Sequence, residues 1–185
     1  IESVYVPRLL GRSPHEAGRL WEELYALTRD FGQKGCYIEA LSAVDIALWD
    51  LRGKALGVPI HSLLGGAFRE SVAGYATGCY YRGEDCLNHE EALPALAAEA
   101  ASYAQAGFGL LKIKVGLLAI EADAVRVAAI RKAVGPAMGL LVDCNHAYSA
   151  ANAIRMGRVL ERHGCLVFEE PVPPEDRRGY RRVRQ

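Results

Sequence analysis

Leu110-Leu111-Lys112-Ile113-Lys114-Val115-Gly116 is an apolar run broken by two lysines two residues apart and closed by a glycine. Side chains alternate across a strand, so an extended reading sends both ammonium groups to one face. The run has two counterparts downstream. Residues 139–145 end in Val142-Asp143-Cys144-Asn145, and residues 165–170 end in Phe168-Glu169-Glu170 before Pro171. Alternation groups Asp143 with Asn145. It separates Glu169 from Glu170, so only one of the two glutamates is expected to share a centre with the lysines.

Working outward, helical patterns separate these strands. Asn88-His89-Glu90-Glu91 caps a helix that ends at Gly107. Residues 120–134 form a second, stopped by Gly135; Ser149 opens a third that ends at Gly164, and residues 176–183 start a fourth. Residues 71–80, rich in β-formers and small side chains, read as the first strand. Strand–helix alternation predicts a parallel sheet with crossover helices, and near-continuous apolar strand cores fit a sheet covered on both faces. Four βα units make either an open doubly wound sheet or half of an eightfold barrel. Neither GxGxxG after the first strand nor GxxxxGK[ST] is present, which speaks against a nucleotide-binding open sheet.

Upstream the pattern is helical. Ser13-Pro14-His15-Glu16 has the cap, the first-turn proline and the acid of a helix start, and Leu20, Trp21, Leu24 and Tyr25 follow at helical spacing. A second helix is predicted from Tyr37 to Lys54 with Ala40, Val44, Ala47, Leu48 and Leu51 on one stripe, ended by Gly57-Val58-Pro59. The expected division is a helical segment over residues 1–68 and the βα units over residues 69–185.

Composition narrows the partners. The 185 residues are 51% apolar, with 22 basic and 22 acidic side chains, as in ordinary globular proteins. A formal charge of zero gives no electrostatic footprint for nucleic acid or an anionic membrane, and no apolar run is long enough to span a bilayer. The N-terminus lacks a secretory pattern. Cys36, Cys79, Cys86, Cys144 and Cys165 are odd in number and without CxxC spacing, which argues against a disulfide framework and for a reducing, cytoplasmic setting.

Charge at the C-terminal ends of successive parallel strands is where α/β barrels build active sites. Two adjacent ammonium groups disfavour each other's charge, so Lys112 and Lys114 are expected to have depressed pKa values and to supply an amine base. Carboxylates on neighbouring strands, Asp143 and Glu169, can share a hard cation through oxygen, and Mg²⁺ keeps open positions for substrate. His146, at the mouth of the third strand, reads as a substrate contact or a locally bonded loop histidine. Arg82, after the first strand, reads as a carboxylate-binding group or a solvated loop residue.

Residues 40–54, with Pro59-Ile60 and Leu63-Leu64-Gly65, resemble the first signature of the mandelate racemase/muconate-lactonizing branch of the enolase superfamily. Asp143-x-Asn145 with Glu169-Glu170-Pro171 resembles its second, and Lys112-x-Lys114 its KxK motif. Positions 114, 143 and 169 give spacings of 29 and 26 residues, which match the family. The resemblance implies an α/β fold: the first half of a TIM-type (β/α) barrel preceded by the helical part of an α+β N-terminal capping domain. It implies a Mg²⁺ cofactor held by Asp143 and Glu169, Lys114 as the general base, and Lys112 as the neighbour that lowers the base's pKa and contacts the substrate carboxylate. Asn145 would lie beside the metal, and Glu170 would face away toward a structural partner.

The implied reaction is Mg²⁺-dependent removal of a proton α to a carboxylate, with stabilisation of the enolate. An acid-sugar dehydratase is the leading expectation, because residues 143–148 and 169–175 resemble those of sugar-acid dehydratases. Racemases, epimerases and cycloisomerases share the same half. The substrate is expected to be a small carboxylate such as a sugar acid, and the full-length form a homo-oligomer. Gln185 lies 16 residues past Glu169, so the family's third acidic ligand and second acid/base would fall beyond it. The resemblance therefore implies a truncated member, weakly active or inactive alone and prone to associate. Two readings of other classes are a non-catalytic remnant and a metal-free Schiff-base aldolase using Lys112 or Lys114.

Overall fold

The computed structural model describes residues 1–83 and 89–185. By contacts the chain divides into two compact units, Ile1–Val72 and Ala73–Gln185. The expected cap at Asn88, and Cys86, lie outside the described residues.

The Ile1–Val72 unit is helical: α1 (Val6–Leu9), a 3₁₀ turn (Pro14–Glu16), α2 (Ala17–Thr28), α3 (Cys36–Leu56) and α4 (Ile60–Leu63). Ser13 accepts a hydrogen bond from the His15 N–H, so the expected start is real, but it opens through the 3₁₀ turn. Leu20 and Leu24 of α2 meet Leu41, Val44 and Leu48 of α3 in a core that also takes in Tyr5 and Ala17. The buried stripe of α3 is thus Leu41–Val44–Leu48. Leu51, expected on it, is 53% exposed, and Ala47 is exposed too. The i, i+3, i+7 set that meets α2 excludes them. Gly57 ends α3 in the left-handed conformation, φ 67°, where a side chain would be strained.

The Ala73–Gln185 unit alternates: β1 (Ala76–Thr77), α5 (His89–Gln105), β2 (Leu110–Lys114), α6 (Ile120–Val134), β3 (Gly139–Asp143), α7 (Ala150–Arg162), β4 (Cys165–Glu169) and α8 (Arg177–Arg184). All pairings are parallel and the strand order is β1-β2-β3-β4. A sheet wound in one direction without reversal is barrel topology; a doubly wound sheet reverses its order. The first strand is far shorter than residues 71–80. Only Ala76 and Thr77 pair with Leu111 and Lys112, although Gly78 N–H still reaches the Lys112 carbonyl, and Cys79 turns away with φ 57°.

Alternation gives the sheet two faces of different character. Leu111, Ile113, Leu140 and Val142 are fully buried with Val127 and Ile130 of α6 and Met156 and Leu160 of α7. Burying each such side chain contributes about 1.5–3 kcal/mol. The opposite face carries Lys112, Lys114, Asp143 and Glu169 at its C-terminal end, with Asp143 in register with both Lys114 and Glu169. Coverage of both faces, expected from the apolar strand cores, does not hold for β4, where Leu166 is 65% exposed. No helix among the described residues is long and apolar enough to cross a membrane.

Candidate active site at the strand ends

The register fixes which side chains meet. Lys112 Nζ lies 2.6 Å from Glu169 Oε2 and 3.0 Å from Asp143 Oδ2, so one ammonium bridges carboxylates on two adjacent strands. Lys114 Nζ donates to Asp143 Oδ2 at 2.6 Å and to Asn145 Oδ1 at 2.7 Å. The Asn145 backbone N–H returns to Asp143 Oδ1 at 3.0 Å. Asp143 is 2% exposed, while Glu169 is partly open to solvent.

Burial alone would raise the Asp143 pKa. Hydrogen bonds from Lys114, the Asn145 N–H and Lys112 outweigh it and hold the carboxyl below its usual range. The expected depression by a neighbouring amine does not describe Lys112. Its hydrogen bond to Glu169, followed by that to Asp143, overcomes burial and raises its pKa. Two carboxylates at contact distance outweigh one neighbouring ammonium.

Glu170 departs from its expected place. β4 stops at Glu169, and Glu170 takes φ 48°, which ends the alternation that would have sent it to the far face. Its Oε2 accepts from Asn145 Nδ2 at 3.1 Å and lies 3.4 Å from His146 Nε2. Asn145 and His146 also have positive φ, 43° and 64°, and the His146 N–H donates to the Glu170 carbonyl at 2.9 Å. Such conformations cost non-glycine residues about 1–3 kcal/mol each and cluster at functional sites.

Six sequence-predicted residues therefore join one chain of contacts: Lys112, Lys114, Asp143, Asn145 and Glu169 directly, and His146 through Glu170. Arg82 instead pairs with Glu99 of α5, Nη2 to Oε2 at 2.6 Å. Cys144 is a tie, not a nucleophile. Its Sγ donates toward the carbonyls of Glu169 and Glu170 at 3.2 and 3.3 Å, and burial pushes its pKa up to about 12.

Sequence reasoning missed a second charged group in this unit. Asp123 and Arg126 of α6 are 0% and 1% exposed and contact Tyr81 and Tyr148. The signal was present. Asp123, Arg126, Val127 and Ile130 fall at i, i+3, i+4 and i+7, which puts two charges on a buried stripe.

Among the described residues no group of three or more His, Cys, Asp or Glu is arranged to hold a metal. Asp143 and Glu169 nevertheless suit a hard divalent ion: they are oxygen donors on adjacent strand ends, already gathered around one cationic centre, the Lys112 ammonium. Two carboxylates would fill only part of such an ion's coordination shell.

Comparison with known proteins identifies the family. Residues 1–65 match the mandelate racemase/muconate lactonizing enzyme N-terminal domain, and residues 95–185 match the enolase C-terminal domain-like family. The chain is 41% identical over 184 residues to D-galactarolactone cycloisomerase of Agrobacterium fabrum, covering 100% of this chain and 47% of that protein. It is 40% identical over 172 residues to arabinonate dehydratase of Saccharolobus solfataricus, covering 93% and 44%. The solved 3,6-anhydro-D-galactonate cycloisomerase of Zobellia galactanivorans superposes with TM-score 0.89 at 42% identity, covering 98% of this chain and 48% of that one. A racemase of Streptomyces coelicolor A3(2) with bound magnesium superposes with TM-score 0.85 at 31% identity, covering 98% and 48%. The chain spans about half the length of the curated relatives it matches. It belongs to the enolase superfamily, in the mandelate racemase/muconate lactonizing branch, and carries a capping-domain segment followed by part of a TIM-type barrel.

Proposed function

We propose that the protein is a Mg²⁺-dependent acid-sugar dehydratase that removes the proton next to the substrate carboxylate and expels the β-hydroxyl. The observation that carries this reading is the pair of lysines interleaved with two carboxylates at one strand-end mouth. Asp143 and Glu169 would hold Mg²⁺, which supplies Lewis acidity toward the substrate carboxylate when bound. With the two carboxylates engaged, the Lys112 ammonium is free to donate to the carboxylate oxygen on which charge develops. Lys114, once neutral, accepts the α-proton. Asn145 Oδ1 and Asp143 keep its amine at the mouth. The proton and the departing hydroxide leave as water, and the enol product tautomerises to a 2-keto-3-deoxy acid.

A second reading is a cycloisomerase, favoured by the 41% identity to D-galactarolactone cycloisomerase. The same proton leaves, and a ring oxygen departs in place of hydroxide. A Schiff-base aldolase acting through Lys112 fits poorly, because a lysine nucleophile must be neutral and Lys112 is held charged by two carboxylates; borohydride trapping with substrate tests the same chemistry at Lys114.

Calorimetry with a sugar-acid hydroxamate, a mimic of the enolate, tests the reading without requiring turnover. Binding is expected only with Mg²⁺ present, and Lys112→Met should weaken it by about 10-fold or more. Binding indifferent to both, or none at saturating Mg²⁺, would reject the proposal.

A further inference from the structure

The buried group around Asp123 spans three strand exits. Asp123 Oδ2 accepts from the Gly116 N–H at 2.7 Å, just after β2, and from the Tyr148 hydroxyl at 3.4 Å, after β3. Its other oxygen accepts from the Tyr81 hydroxyl, after β1. Tyr81 in turn receives the Leu117 N–H at 3.4 Å. Arg126, one turn along α6, donates Nη2 to the Cys79 carbonyl at 3.0 Å and stacks 4.2 Å above the Tyr81 ring. Two residues of one helix thus hold backbone or side-chain atoms of three βα connections.

Stability is a poor reason for this arrangement. Arg126 Nε is 3.7 Å from Asp123 Oδ1, too far for a hydrogen bond, and its Nε and Nη1 have no hydrogen-bond partner among the described residues. A buried pair so imperfectly satisfied is commonly matched or bettered by apolar side chains of the same volume. Apolar packing, however, would not fix particular N–H and C=O groups in direction. The atoms fixed here adjoin the mouth: Gly116 is two residues after Lys114, and Tyr148 is five after Asp143. The two exits also pack as one body. Gly116 has φ 105°, and a Cβ there would lie 2.6 Å from the Ala147 Cβ. The Lys114–Asp143 bond of 2.6 Å depends on the spacing of these same exits.

We propose that Asp123 and Arg126 are positioning residues, which lock the exits of β1, β2 and β3 from α6 and so set the Lys114 amine against Asp143. Their relevance to enolisation rests on the function proposed above; the positional claim stands apart from it.

The test uses the isotope-labelled chain and reads the side-chain ¹⁵Nζ signals of Lys112 and Lys114, together with Mn²⁺ affinity from paramagnetic broadening. Asp123→Asn cannot accept from all its donors. Tyr81→Phe is gentler, because it removes one hydroxyl and keeps the ring over Arg126. Both variants should keep the hydrogen-exchange protection of Leu111, Ile113, Leu140 and Val142, yet shift and broaden the Lys114 signal. They should also weaken Mn²⁺ by about 10- to 100-fold in Asp123→Asn, the range for losing groups that orient metal ligands, and by less in Tyr81→Phe. A merely structural role would lower core protection and leave the Nζ signals of the folded fraction unmoved; that result overturns the proposal. If Asp123→Asn fails to fold, a folded Tyr81→Phe with wild-type Nζ signals overturns it equally. Should Mn²⁺ broaden nothing even in the unmodified chain, the metal reading falls, while the Nζ comparison still decides the positional claim.

Discussion

Two charged clusters lie within the Ala73–Gln185 unit, and they differ in what surrounds them. At the mouth, Lys112, Lys114, Asp143 and Glu169 satisfy one another at 2.6–3.0 Å, with Glu169 partly exposed. Under α6, Asp123 and Arg126 are sealed from solvent, and part of the guanidinium has no hydrogen-bond partner among the described residues. Solvent reaches the open cluster at Glu169, so on the proposed reading a metal ion would enter there in place of the Lys112 ammonium. The sealed one has no such access, so its charges serve only the groups they already touch. On the proposed reading, like chemistry serves a reaction in one place and geometry in the other because of access.

Removing one partner from each cluster is the strongest way to break this contrast. Arg126→Ala leaves the Asp123 charge buried without a counter-charge, and should lower unfolding free energy by about 3–5 kcal/mol in urea titrations. Lys112→Met leaves Asp143 still paired with Lys114 and Glu169 open to water, and should cost markedly less than the Arg126 change. Equal losses would erase the distinction.

Acid titration sharpens it. The Asp143 pKa is lowered in the fold, so its contribution is present above the unfolded value of about 3.9 and lost as pH falls. The Asp123 pKa is raised, chiefly by burial against hydrogen bonds from Tyr81 and the Gly116 N–H, so its contribution is present below about 3.9 and lost as pH rises through the folded value. In metal-free buffer between about pH 3 and 6, Asp143→Asn should flatten the acid loss of stability, and Asp123→Asn should steepen it. Changes of the same sign would contradict the assignment.

The same contrast explains what was legible in the sequence. The mouth was readable because strand alternation is geometric: Lys112 and Lys114 must share a face, and a parallel register brings Asp143 and Glu169 beside them. Glu170 was misread because the rule ends where the strand ends, and its positive φ is a tertiary outcome fixed by contacts to Asn145 and His146. The pKa of Lys112 was misread because like-charge repulsion is visible in Lys-x-Lys, whereas the balance against carboxylates 31 and 57 positions away requires distances. The Asp123–Arg126 pair lay in plain view on an apolar stripe, but its partners Cys79, Tyr81 and Tyr148 come from separate loops that no local pattern joins. The capping segment was legible as helices, though the stripe of α3 turns on which residues α2 meets.

The smallest expected effect is a control for both clusters. Arg155 and Glu121 pair at 2.7 Å with both side chains exposed. Glu121→Gln should change stability by less than about 1 kcal/mol and leave the Lys112 and Lys114 ¹⁵Nζ signals untouched.

Titration of Mg²⁺ into the chain and its Asp143→Ala variant, followed by calorimetry, addresses the open cluster most directly. The account predicts saturable binding by the unmodified chain and none in the variant, with both folded by circular dichroism. Equal binding by the two proteins, or no heat from either at millimolar Mg²⁺, would contradict it.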